Sequence, residues 1–233
     1  MQLLKITKGK IMIIGVLNQK GGVGKTTVAV NLAAALAEPA GARKPARVLL
    51  VSTDPQGSAL DWAAARQAAE VFSVVGFSRA NLHREIEEIG AGYQHIVIDG
   101  LPGMSQITRS SIIASDVVII PMQPGQYDLW AVDAMVKLVE DARSLNENRK
   151  AFFVINRRVA NSSLSRRVVE ALDSYPFPVL ESKLTQLVAF AEATTRGMTI
   201  YEMGRKGKAA AEMTALKNEI ITEINKCKRK NPQ

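Results

Sequence analysis

Gly21, Gly22, Gly24, Lys25 and Thr26 crowd into the segment KGGVGKTT, and these residue types in this order suit one kind of ligand, a chain of phosphates. Three glycines remove the Cβ atoms that would hold the backbone away from an anion, and they admit the positive φ angles that turn successive N–H groups inward. Lys25 supplies a point charge for terminal phosphates, and the Thr26 hydroxyl is placed to ligate a divalent cation. Val23 and Thr27 complete the stretch, with the helix expected from Thr27 adding the partial positive charge of its N-terminus. Two carboxylates further along suit the same chemistry. Asp54 follows an apolar run directly, in VLLVSTDPQGSALDW, and Asp99 ends another, in YQHIVID. An acid at the carboxyl end of a strand projects where α/β proteins bind ligands. Asp54 also has a structural reading, as the N-cap of the helix that follows.

These residues resemble a known set. The pattern G-x-x-x-x-G-K-[ST] lacks its first glycine, Gln19 standing there, and begins instead with Lys20, which resembles the signature lysine of the deviant Walker-A ATPases of the ParA/MinD superfamily. The segment STDPQG resembles their Walker-A′ motif, with Ser52 in place of the usual first aspartate, and IVIDGLPG sits where Walker B would. The resemblance runs over nearly the whole chain from Met12 and is closest to the small ParA-type partition proteins and their carboxysome-positioning relatives. It implies ATP and Mg²⁺ as cofactors, and a homodimer in which Lys20 of each subunit reaches the other's nucleotide. Lys25 and Asp54 join Lys20 as the catalytic set, Asp54 orienting the attacking water. Thr26, Asp54 and Asp99 would serve Mg²⁺, the acids through water, and Asn156 would touch the adenine. Gln56 and Gly57, and Gly100 to Gly103 around Pro102, would form nucleotide-responsive loops.

The elements that must position these groups follow from the apolar pattern. Short β-branched runs at 11–17, 47–52, 72–76, 93–99, 117–121 and 151–156 read as buried strands. Helical stretches separate them, among them 58–70, 81–89 and the last thirty or so residues, where Leu216, Ile220, Ile221 and Ile224 recur at helix spacing. SYPFPVLESKL reads as a proline-bounded edge strand, and Pro121 as the start of a rigid loop. Strands alternating with helices predict a doubly wound, mainly parallel sheet with helices on both faces, an α/β P-loop fold. The expected division is an N-terminal extension over 1–11, one ATPase domain over 12–226 and a basic tail over 227–233. The extension is too short for a two-helix DNA reader. Tyr127 and Trp130 are candidates for contacts at the dimer seam.

Composition excludes several classes. The 233-residue chain has one cysteine, Cys227, which rules out a disulfide framework and the bridging cysteines of an iron protein of similar fold. His83 and His95 lack ligand spacing. No additional cluster of acids, bases or nucleophiles follows Asp99, as a metabolic ligase or kinase would need. No apolar run reaches the ~18 residues of a membrane span, so a cytoplasmic protein is expected. The net charge of +8 is concentrated: residues 1–142 hold 13 Lys/Arg against 13 Asp/Glu, and residues 143–233 hold 17 against 9. A polyanionic partner for the C-terminal part is expected. The resemblance makes that partner non-specific DNA, and the candidate contacts are Arg157, Arg158, Arg166, Arg167, Lys183, Arg196, Arg205, Lys206, Lys208 and Lys217. It also implies a ParB-like adaptor on the cargo and association with the nucleoid. The alternative is a MinD-like membrane-associated positioning ATPase; against it, the last helix lacks Phe and Trp on its apolar face.

Overall fold

A computed structural model describes residues 11–39, 44–125, 132–159 and 163–230. Six strands form one sheet: β1 (Met12–Val16), β2 (Val48–Ser52), β3 (Ser73–Gly76), β4 (His95–Asp99), β5 (Val117–Met122) and β6 (Lys150–Ile155). Their order is β3-β2-β4-β1-β5-β6 and every pairing is parallel. Continuous Val/Ile/Leu runs form such strands because both faces are covered. Ile14, Val16, Leu50, Val97, Ile119 and Val154 enter one apolar layer, and their neighbours Ile13, Leu49, Val51, Ile98, Ile120 and Ile155 enter the other.

The first layer is closed by α1 (Lys25–Ala37), α2 (Ser58–Ala64), α7 (Val188–Thr195), α8 (Ile200–Gly204) and α9 (Lys208–Lys230), the second by α3 (Leu82–Ile89), α4 (Gln106–Ala114), α5 (Val132–Arg143) and α6 (Ser163–Leu172). α1 is apolar nearly all round because the sheet covers one side and α8 and α9 pack on others. Register places the site: Val16 pairs with Asp99, and Asp99 with Ser52, so three central strands end in one row. The loops leaving them start side by side at the carboxyl edge of the sheet.

Four expectations are corrected. α1 starts at Lys25 rather than Thr27, with Gly24 in the left-handed conformation before it. α2 stops at Ala64 instead of continuing through Glu70, although the stretch is alanine-rich. There Arg66 turns its guanidinium onto the carbonyls of Ala69 and Gly197 and onto Glu202, so tertiary contacts override helix propensity. β5 includes Pro121, as the 117–121 run predicts, and extends to Met122, so the rigid loop starts after Pro121 rather than at it. That proline is tolerated because β1 has by then turned away: the last pairing of β5 with β1 joins Val16 and Ile119. The SYPFPVLESKL segment runs beside β6 but bridges it only in isolation, Phe153 with Val179, and a second isolated parallel bridge joins Arg158 and Thr185 just beyond the two. Pro178 contributes a carbonyl to Phe153 N–H but has no N–H itself, and the Glu219 carboxylate accepts from Glu181 and Ser182 N–H in place of a ladder. Tyr127 and Trp130 lie outside the described residues.

Candidate functional site

The glycine-rich loop is held open by its own backbone angles and by three amide side chains. Gly22 and Gly24 have φ of 75° and 89°, a region that glycine occupies without penalty. Asn18 donates from Nδ2 to Pro121 O at 2.8 Å and accepts from Lys20 N–H at 2.9 Å, joining the start of the loop to the end of β5. Gln123 donates to Gly22 O and Asn156 to Val23 O, each at 2.7 Å. The amide of Asn156 thus supports the loop, and a Cβ on Gly24 would come within 2.4 Å of it. Asn18 and Gln123 were not singled out in the sequence: isolated amides there look like ordinary turn residues, and only the sheet brings them to one loop.

Lys25 lies across the loop mouth, its Nζ donating to Lys20 O at 2.8 Å. Burial lowers its pKa, while the nearby charges of Asp99 and Asp54 act the other way. Asp99 is fully buried, and burial pushes its pKa up to about 7; the Thr26 hydroxyl and Lys25 oppose the shift and Asp54 adds to it. Lys25, Thr26, Asp54 and Asp99 therefore converge on one small volume. The Thr26 hydroxyl stands near the Asp99 carboxylate, but among the described residues neither oxygen of Asp99 nor the buried Oγ of Ser52 has a partner at full hydrogen-bond geometry. Buried oxygens in that condition beneath a phosphate cradle fit the water shell of a hard divalent cation, which supplies the missing donors and charge.

Asp54 is not a helix cap. Gly57 occupies that position for α2, and Asp54 Oδ1 instead accepts from Gln56 N–H at 2.9 Å, leaving the carboxylate at the strand edge facing Lys25. Thr53, overlooked in the sequence, ties the two acidic loops together. Its hydroxyl donates to Asp99 O at 3.0 Å and accepts from Leu101 N–H at 3.3 Å. Gly103, in the loop after β4, donates to Gln19 O at 2.7 Å, so that loop touches the phosphate cradle directly. Lys20 stands half-buried at the start of the cradle.

The ten basic candidates separate. Arg158, Arg166 and Lys183 line one cavity beyond the end of β6, with Arg157 and Arg167 exposed nearby in the chain. Arg205 pairs with Glu38 at 3.0 Å, at the far end of α1. Lys217 is half-buried and faces Glu38 and His95, and burial lowers its pKa; it is not a free surface cation. Lys208 lies 3.9 Å from Glu212, and Arg196 and Lys206 are exposed. His95 is a packing residue, buried with its pKa lowered to about 4, and His83 bonds Ser110 Oγ. The apolar face of α9 is packed, Leu216 and Ile220 being fully buried. Among the described residues no helix is long and apolar enough to cross a membrane.

Comparison with known proteins agrees with this geometry. The chain is 33% identical over 221 residues to the maintenance of carboxysome distribution protein A of Gloeobacter kilaueensis, covering 94% of this chain and 96% of that protein. It is 28% identical over 249 residues to the chromosome-partitioning ATPase Soj of Thermus thermophilus, covering 93% and 98%. In fold it is similar to the septum site-determining protein MinD of Pyrococcus horikoshii, solved with Mg-ADP, at a TM-score of 0.70 and 21% identity over 91% of this chain and 96% of that one. The family model for the CobQ/CobB/MinD/ParA nucleotide binding domain matches residues 14–200. With the loop, its lysines and the two carboxylates all inside or beside that match, the chain belongs to the CobQ/CobB/MinD/ParA family of nucleotide-binding domains.

Proposed function

We propose that the protein is a positioning ATPase of the ParA type, acting through residues 12–226 as one ATPase domain. It hydrolyses ATP slowly, to ADP and phosphate, and changes partners with the nucleotide. The observation that carries this reading is the convergence of Lys25, Thr26, Asp54 and Asp99, with the orphaned oxygens of Asp99, under a glycine cradle. Thr26 would ligate Mg²⁺ and Asp99 would hold its water shell, and the ion would supply positive charge to offset that of the phosphates. Lys25, which donates to the Lys20 carbonyl, would turn to the terminal phosphates. Asp54 orients the attacking water. The adenine lies against the end of β6, where Asn156 is the contact assigned by the resemblance.

Two copies close face to face, and Lys20 of each enters the other's site. Dimerisation doubles the basic edge beyond β6 that carries Arg157, Arg158, Arg166, Arg167 and Lys183. That edge binds DNA without sequence preference by releasing counterions. A ParB-like adaptor on the cargo stimulates hydrolysis, and the ADP-bound monomer leaves the nucleoid. The names of the partition and carboxysome-distribution relatives support this cycle. A membrane-bound cycle has less support, because the apolar stripe of α9 is already buried at Leu216 and Ile220.

The deciding experiment is binding to a non-specific duplex without nucleotide, with ADP and with ATP plus Mg²⁺, at two salt concentrations. ATP-selective binding that weakens steeply with salt is expected. Absence of binding in all three states would reject the DNA-riding reading.

A further inference from the structure

Beyond β6 lies a cavity whose lining residues are not those of the glycine cradle. It has a volume of about 300 Å³ and is bordered by Arg158, Ser165, Arg166 and Lys183, with Glu170 as the one acid in its wall. Among the described residues, two polar atoms there are buried without a partner: Arg158 Nε and Ser165 Oγ, Ser165 being only 7% exposed. Buried donors without acceptors are costly, and such groups in native proteins generally mark a missing ligand or water. Arg158 offers a directed N–H, Ser165 a hydroxyl, and Arg166 and Lys183 full charges. The set contains three cations to one carboxylate, so the missing partner is an anion. α6 begins at Ser163, and its first turn, which contains Ser165, brings the positive end of the helix to the same place.

The site is walled by Ile155, which belongs to the apolar layer on the face of the sheet away from α1. The glycine cradle opens onto α1. The two are nonetheless connected by one strand end: Asn156 holds Val23 O, and Arg158, two residues on, is clamped by backbone bonds to Leu184 and Gln186. The turn between them places Arg157 at φ 51°, a conformation non-glycine residues seldom adopt. Backbone on both sides of that turn is therefore fixed, and Arg158 is aimed by the fold rather than by its own flexibility.

We propose that this cavity binds a phosphate group, with Arg158, Ser165, Arg166 and Lys183 as its ligands. A tetrahedral oxyanion uses all four donors, and the remaining volume accepts the group to which the phosphate is esterified. The phosphate comes either from a DNA backbone or from a free phosphorylated small molecule. In the first case the site deepens the DNA reading above by reducing ten candidate contacts to three cations and a hydroxyl.

The test titrates inorganic phosphate into the full chain saturated with a non-hydrolysable ATP analogue and Mg²⁺, so that the cradle is filled, and reads heat of binding. Saturable binding of one phosphate per chain is expected. It should weaken at least tenfold in Arg158→Gln and in Ser165→Ala, and remain unchanged in Arg84→Gln, an exposed cation on α3 outside the cavity. Lys183→Gln, at a half-buried position, repeats the test should Arg158→Gln fail to fold. No saturable binding, or equal losses in Arg84→Gln and the cavity variants, would overturn the proposal. Competition by a short duplex identifies DNA as the source of the phosphate, and phosphate binding undisturbed by the duplex identifies a free ligand. Failure of the DNA reading alone appears as phosphate binding without any duplex binding.

Discussion

Asp99 is the more deeply buried of the two acids of the site, and its pH behaviour follows from that burial. Burial pushes its pKa up to about 7 in the folded protein, against 3.8 for an aspartate open to water. Between those values the folded state keeps a proton that the unfolded chain releases, so stability falls as pH rises from about 4 to about 7 and levels off above. Asp99→Asn removes that slope. In urea denaturation without nucleotide it should be more stable than the parent at pH 8 by at least about 2 kcal/mol, at roughly 1.4 kcal/mol per pKa unit, and nearly equal at pH 4. Identical pH slopes in the two proteins would remove buried charge as the cause. The same titration predicts that Mg²⁺-dependent nucleotide affinity of the parent declines below pH 7, as the carboxylate protonates, and that Asp99→Asn loses the Mg²⁺ dependence. Asp54→Ala is expected to bind ATP but accumulate in the ATP state; unchanged single-turnover hydrolysis would take Asp54 out of the reaction.

At the scale of elements, the cradle is a loop whose shape is imposed by its neighbours. Asn18, Gln123 and Asn156 each bond a loop backbone group or an adjoining strand end, and each bond reaches roughly a hundred residues or more along the chain in at least one partner. Removing one leaves a backbone carbonyl short of a donor and costs about 1–2 kcal/mol of loop order. Gln123→Ala should therefore weaken nucleotide affinity roughly tenfold with little change in melting temperature, measured by titration with a fluorescent ADP. Gly24→Ala is a harsher change, since it combines φ of 89° with a Cβ 2.4 Å from Asn156 Nδ2. It should abolish nucleotide binding, and retention of parental affinity would show that the loop can reshape around a side chain.

For the whole molecule, α9 is what converts a sheet and its helices into a closed body. Glu219 accepts from two backbone N–H groups of the segment beside β6, Glu212 accepts from Thr185 N–H and Oγ1, and Leu216 between them is fully buried. Glu219→Ala strands two donors and should lower stability by about 2 kcal/mol, read by chemical denaturation. Leu216→Ala should cost about 2–5 kcal/mol by leaving a core cavity. At the same scale, Lys20→Ala should retain ADP binding, because the Lys25 contact uses the backbone carbonyl of Lys20, yet lose ATP-driven dimerisation in sedimentation. Full dimerisation of that variant with ATP would defeat the crossed-lysine arrangement.

Local chemistry made KGGVGKTT, Asp54 and Asp99 legible in the sequence, because glycine freedom, a lysine charge and acids at strand ends are properties of the residues in their immediate context. The parallel sheet was legible for the same reason: unbroken β-branched runs have few other stable uses. The supports of the cradle, Asn18, Gln123 and Asn156, and the Thr53 tie between the acidic loops were not, since they gain these roles only from contacts between strand ends distant in the chain. The end of α2 and the failure of the Pro176–Pro178 segment to form a strand were likewise settled by tertiary partners that outweigh local propensity. Charge shows the division most plainly. Counting residues located the basic excess in the C-terminal part, but only packing separated the cations around the β6 cavity from Arg205 and Lys217, which the fold turns toward Glu38 at the opposite end of α1.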